Sequence, residues 1–131
     1  MTQATRPLQK QHHMANVQKT LETLKTELAG FLGAALVDHD SGMTLGTYGS
    51  GLNLDVAAAG NTEVVRAKLR VMQQLDIGGG IEDILITLDD QLHLIRPIGD
   101  TLFLYLALDR KQGNLGMARH IMTRAAKGLK I

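Results

Sequence analysis

The chain has 131 residues, enough for one domain with its own core and too few for two ordinary ones. Its 44% hydrophobic and 21% charged residues are globular proportions, and the absence of cysteine excludes disulfide frameworks, thiolate metal sites and cysteine nucleophiles. The net charge of +1 hides a gradient: residues 31–109 carry eleven acidic and four basic groups, residues 110–131 six basic and no acidic ones.

Residues 1–13 are polar, contain Pro7 and show no periodicity, which predicts a flexible arm ahead of a single domain at residues 14–131. The longest uncharged apolar runs, Ala29 to Val37 and Leu102 to Leu108, are too short for a membrane span, and the start of the chain lacks the apolar core of a signal peptide; a cytoplasmic location is expected. From Ala15, apolar Val17, Leu21, Leu24 and Leu28 recur at steps of four, three and four, one stripe of a helix that Gly30 stops.

Leu32 to Tyr48 reads as a hairpin turning on Asp40, Ser41 and Gly42, its first strand apolar on both faces and its second an edge. After the loop GTYGSG, Asn53 or Asp55 caps a long helix running to about Leu75. Glu63, Arg66, Arg70 and Gln73 mark its polar side. The opposite face, Ala58, Asn61, Val64, Val65, Leu69, Met72 and Leu75, is wider than one sheet contact needs and implies a second neighbour. Gly60 in mid-helix costs about 1 kcal/mol relative to Ala, a cost that close approach of another backbone would explain.

Gly78 to Gly80 break the chain, and three strands follow. Ile81 to Leu88 turns at Asp89 and Asp90 into Gln91 to Ile98, where Pro97 marks a strand end; Gly99 and Asp100 turn again into Thr101 to Asp109. This last strand is apolar on both faces and belongs in mid-sheet. Asn114 caps a final helix with Leu115, Ala118, Ile121, Met122, Ala125 and Leu129 inward. The order αββαβββα predicts an α+β fold, a three-layer α/β/α sandwich with a five-stranded antiparallel sheet, the outer helices on one face and the middle helix on the other.

Reactive constellations are weak. GTYGSG follows a hairpin strand and lacks a Lys-Ser/Thr ending, so it reads as a connection rather than a phosphate cradle. Ser41 and Ser50 sit in turns without a nucleophile elbow, and His12, His13, His39, His93 and His120 show no metal-ligand spacing. The neighbouring acids Glu82 and Asp83, or Asp89 and Asp90, point to opposite faces if they lie in strands. No catalytic, cofactor or metal residues are assigned. The basic last helix reads as a solvated face, since the interleaved aromatics of a single-strand nucleic-acid binder are missing.

The strings LVDHDSGMTLG, AAAGNTEVVRAKLRVM, ILITLDDQLHLIRPIGDTLFLYLALD and NLGMARHIM, in this order and spacing over about residues 15 to 129, resemble the Roadblock family of dynein light chains and bacterial regulators of small Ras-like GTPases. The resemblance implies a profilin-like sheet of order 2-1-5-4-3 and a homodimer made by antiparallel pairing of third strands and of middle helices. Ile84, Ile86, Val64, Val65 and Met72 are then the expected dimer interface. It further implies a noncatalytic scaffold for a small Ras-like GTPase or linked signalling protein, with Arg66, Lys68 and Arg70 as its expected contacts. The rivals are a small-molecule sensor using the loops around Gly49 and a nucleic-acid binder using the last helix.

Overall fold

The strand Leu102–Asp109 (β5) is buried without interruption from Phe103 to Leu108, and the other elements are arranged around it. A computed structural model describes residues 16–129; the arm expected at residues 1–13 lies outside them. On one side β5 pairs with Phe31–Asp38 (β1), on the other with Gln91–Ile98 (β4). Met43–Tyr48 (β2) adds to β1 and Ile84–Thr87 (β3) to β4, giving an antiparallel sheet of order β2-β1-β5-β4-β3. Three helices complete the order αββαβββα: α1 (residues 16–27), α2 (Leu54–Gln74) and α3 (Leu115–Gly128).

Both faces of the sheet are covered, which is why its central strands carry no polar alternation. Leu104, Leu106 and Leu108 point to one face and pack with Val17, Leu21 and Leu24 of α1 and Ala118, Ile121 and Met122 of α3. Phe103, Tyr105 and Ala107 point to the other, against Leu54, Ala58 and Val65 of α2. Each fully buried leucine stabilises the fold by about 1.5–3 kcal/mol relative to an exposed one. Thr62 is the one buried polar residue on the sheet side of α2, and its hydroxyl is satisfied by donating to the Ala58 carbonyl at 2.7 Å. Asn53 caps α2 by accepting from the Val56 amide at 3.2 Å, and Asn114 caps α3 by accepting from Met117 at 2.9 Å.

Two details depart from the sequence reading. The third strand is Ile84–Thr87 rather than Ile81 to Leu88. Leu88 donates to the Gln91 carbonyl at 2.9 Å, so alternation along the ladder makes 88–91, 86–93 and 84–95 its hydrogen-bonded pairs. The next such position would set Glu82 against Pro97, which has no N–H, and the ladder ends there. Pro97 itself stays inside β4, because it still pairs with Phe103 of β5.

The helix α2 spans what the sequence predicts, capped by Asn53 at its start and by Leu75 at its end. The helix begins with Leu54 packed over Gly33 and passes the β1–β2 turn where Thr62 lies beside Gly42. By Leu69 it has reached His39 and Asp100 at the sheet's end. Its last turn projects past the sheet, and residues 73–80 are all exposed. The helix closes with Leu75 donating to the Val71 carbonyl and with Asp76 in the left-handed region at φ 58°.

Candidate functional site

Among the described residues, the unpartnered surface of the fold begins at β3. Since the main-chain groups of Ile84 and Ile86 face β4, those of Leu85 and Thr87 face outward along an open sheet edge. Ile84 joins the apolar cluster beneath α2, while Leu85 joins the one beneath α1 and α3. All four β3 residues keep some exposure, and neither flanking residue is Pro, so little but β3's short length protects this edge.

One flank of α2 lies toward this edge. The other flank is turned to β2, where Asp55 accepts from the Thr44 hydroxyl at 3.3 Å and Ala59 and Thr62 lie beside Gly42. On the β3 side, Ala57, Gly60, Val64, Ala67 and Val71 recur at alternating steps of three and four, the seam spacing of paired helices. Val64 is half-buried, Val71 is 39% exposed and Leu75 62%. A methyl group at Gly60 would meet nothing within 4 Å among the described residues, so packing within them does not require glycine there.

Of the residues expected at a dimer interface, Ile84, Ile86 and Val64 lie along this edge and flank with surface to offer. Val65 does not: it is 0% exposed, packed into its own sheet with Ala58 and Ile95. Met72, seven residues further on, is buried on the same stripe. Two adjacent faces of α2 look like one in the sequence: the sheet-facing stripe through Ala58, Thr62, Val65 and Met72, and the flank through Val64, Val71 and Leu75. Arg66, Lys68 and Arg70 are all exposed but do not form one patch. At 100° per residue, Lys68 falls on the flank of Val64 and Val71, whereas Arg66 and Arg70 fall on the opposite side of the helix, with Asp55 and Ala59 on the flank toward β2.

Polar contacts brace the edge from both faces. Asp83 receives a two-pronged ion pair from Arg119 of α3, at 2.9 and 3.2 Å, anchoring the chain as it enters β3. Neighbouring Arg96 donates weakly to the Glu82 carbonyl at 3.4 Å, and its Nε is buried without a partner among the described residues. On the α2 face, His93 lies opposite Ile86. Its Nε2 lies 2.7 Å from Gln91 Oε1 and its Nδ1 3.1 Å from the Tyr105 hydroxyl, a pattern that suits the tautomer donating from Nε2 and accepting at Nδ1. Burial holds the His93 pKa below the usual histidine value and pushes that of Tyr105 up to about 12.

This geometry offers a hydrogen-bonding edge and an apolar flank. Among the described residues there is no group of three or more His, Asp or Glu side chains able to hold a metal ion. The Ser41 hydroxyl is occupied in its turn, accepting from the Met43 amide at 3.2 Å. The glycines of GTYGSG are explained by packing: a Cβ on Gly51 would stand 2.7 Å from the Leu32 carbonyl oxygen. No described helix is long and apolar enough to cross a membrane.

Solved structures share this arrangement of sheet and helices. A Roadblock/LC7 domain from Streptomyces avermitilis superposes with a TM-score of 0.77 at 17% identity, covering 86% of this chain and 93% of that one. This chain has the Roadblock/LC7 fold. The gliding protein MglB of Thermus thermophilus shares the Roadblock fold at TM-score 0.77 and 19% identity, over 89% of this chain and 87% of its own. Myxococcus xanthus MglB does so at 0.73 and 15%, over 92% and 86%. No protein-family model and no curated protein matches the sequence. The Roadblock likeness therefore lies in the path of the chain, which identities this low preserve better than side chains.

Proposed function

We propose that two copies of this chain pair, β3 against β3 and α2 against α2, into a noncatalytic scaffold that binds and modulates a small Ras-like GTPase or a signalling complex linked to one. The observation that carries this reading is the coincidence of the outward amides of Leu85 and Thr87 with the apolar flank Val64, Val71 and Leu75 on the same side of the molecule. An open edge pairs readily with another strand, and a second copy supplies both a strand and a matching flank. The resemblance of the sequence to the Roadblock family supports the GTPase-linked role. Arg66 and Arg70, on the side of α2 opposite the seam, remain available to the partner after pairing, while Lys68 falls at the seam.

Sedimentation of the wild type and of Ile86→Asp tests the pairing. The substitution puts a carboxylate at the joined edge and should reduce the dimer to single chains; an unchanged mass would count against the reading. For the partner, affinity capture by the wild type should recover a GTPase or its complex. Capture by an Arg66→Glu, Arg70→Glu double variant should lose it while the dimer mass is retained, and equal recovery by both would remove these arginines from the contact.

A further inference from the structure

Where the chain enters β3, one carboxylate stands between two guanidinium groups. Arg119 of α3 takes both oxygens of Asp83, at 2.9 and 3.2 Å. Arg96 is left over. With Ile84 opposite Ile95, one further step sets Asp83 opposite Arg96, and both lie on the sheet face of Leu85 and Leu94, the one that α1 and α3 cover. The Arg96 side chain reaches across to the chain entering β3, where Nη1 donates to the Glu82 carbonyl at only 3.4 Å. Its Nε is buried with no partner among the described residues, and none of their ion pairs includes it. Arg96 has thus given up water without gaining a counter-charge, a costly state for a cation.

The far end of β3 has the complementary lack. Asp89 and Asp90 make the two-residue turn into β4, closed by the Leu88 amide donating to the Gln91 carbonyl at 2.9 Å. Both are exposed, and neither enters an ion pair among the described residues. At about 3.3 Å per residue the strand holds Asp83 and Asp89 roughly 20 Å apart, so Arg96 cannot reach the turn of its own chain.

Pairing of two copies at this edge, the reading proposed above on which this inference rests, sets one end of β3 against the other. A two-fold axis makes the joined strands antiparallel. The outward main-chain groups meet when Leu85 stands opposite Thr87 of the partner subunit. Asp83 then stands opposite Asp89 of the partner subunit, with both side chains on the face of Arg96 and Arg119. We propose that the second copy completes a four-charge contact, in which Asp89 of the partner subunit supplies the carboxylate that Arg96 lacks beside the Asp83–Arg119 pair, and that this contact, formed at each end of the joined strands, fixes the register of pairing. A slip to Leu85 opposite Leu85 of the partner subunit would face Asp83 with a threonine and leave Arg96 unmatched. The favoured register also faces Glu82 with Asp90 of the partner subunit, but both side chains are exposed in the single chain, where water screens their repulsion.

Main-chain hydrogen bonds and the α2 flank hold the pair, so the contact is read from which copies join. Full-length Arg96→Glu and Asp89→Lys are sedimented separately, as an equimolar mixture, and beside the wild type. Alone, each variant repeats a contact with an excess of one charge at both ends and should pair about tenfold more weakly than wild type. In the mixture the introduced carboxylate meets the introduced ammonium at one end and the native contact forms at the other, so mixed pairs should form with wild-type affinity. Should Arg96→Glu fail to fold, Arg96→Gln and Asp89→Asn replace the swap: each should weaken pairing, and the double variant no further than either alone, because both act through one contact. Variants that pair as tightly as a pairing wild type, a mixture no tighter than its components, or additive losses in the neutral variants overturn the contact and leave the pairing standing. A wild type that sediments as a single chain overturns both.

Discussion

Gly51 and Gly60 show how differently the same residue can be required. A Cβ on Gly51 would stand 2.7 Å from a backbone oxygen that has no room to yield, so Gly51→Ala should cost about 1–3 kcal/mol in denaturant unfolding. Gly60 stands on an exposed helix surface, where alanine gains about 1 kcal/mol of helix propensity. Gly60→Ala should therefore raise the stability of the single chain while weakening self-association, if a second α2 closes on that seam; a gain in both would place the seam elsewhere. His93 and Tyr105 give the residue scale its pH dependence. Because burial lowers the folded pKa of His93, the unfolded chain takes up that proton first, and stability falls as pH drops through about 6.5 toward the folded value. His93→Gln should flatten the stability profile over that window. For Tyr105, raised to about 12, the contribution is fully present below about pH 10 and is lost as pH climbs through about 12. None of these surroundings is written in local sequence: the loop GTYGSG reads as a simple connection until the Leu32 carbonyl is seen beneath it.

At the scale of elements, sequence periodicity was a good guide wherever one covering layer decides burial. The doubly apolar strands β1 and β5 fall in mid-sheet and β2 at an edge, Asn114 caps the last helix, and Asn53 is one of the two caps the sequence offers α2, all from patterns spanning a few residues; the place of β3 at the other edge follows only from the Roadblock resemblance. Pattern failed where two surfaces meet on one element: α2 carries adjacent sheet-facing and outward stripes, so Val65 and Met72 read as interface although they belong to the core. It failed again at β3, whose length is set by the missing N–H of Pro97 on the neighbouring strand rather than by its own residues. The edge yields a sharper test than a charge at Ile86. The amide of Thr87 points away from β4, so Thr87→Pro removes no hydrogen bond from the protomer's own ladder. Circular dichroism and unfolding midpoint should stay close to wild type, while sedimentation shows single chains. A Thr87→Pro protein that keeps its dimer mass would mean that β3 does not pair through this edge.

For the molecule as a whole, the charge gradient and the apolar flank point to different kinds of contact, and ionic strength separates them. The proposed pairing depends on main-chain hydrogen bonds and on Val64, Val71 and Leu75, none of which salt screens. Raising salt from about 0.1 M to about 1 M shrinks the screening length from roughly 10 Å to roughly 3 Å. The sedimenting mass should hold across that range. Binding of a partner through Arg66 and Arg70 should weaken, because those guanidinium groups are exposed and act through water. The six basic groups of residues 110–131 invite the same treatment. Of those on α3, Arg119 is committed to Asp83 and Arg124 Nη2 lies 3.8 Å from Glu27, so two of its cations are already matched within the fold. Labelled single-stranded and duplex DNA should accordingly show no anisotropy change at physiological salt. A steep, salt-dependent rise would instead assign the basic helix to nucleic acid, since each neutralised phosphate releases counterions and makes the affinity fall with salt. Loss of mass at high salt would transfer the pairing from the β3 edge to charged surfaces, leaving the apolar flank of α2 to some other partner.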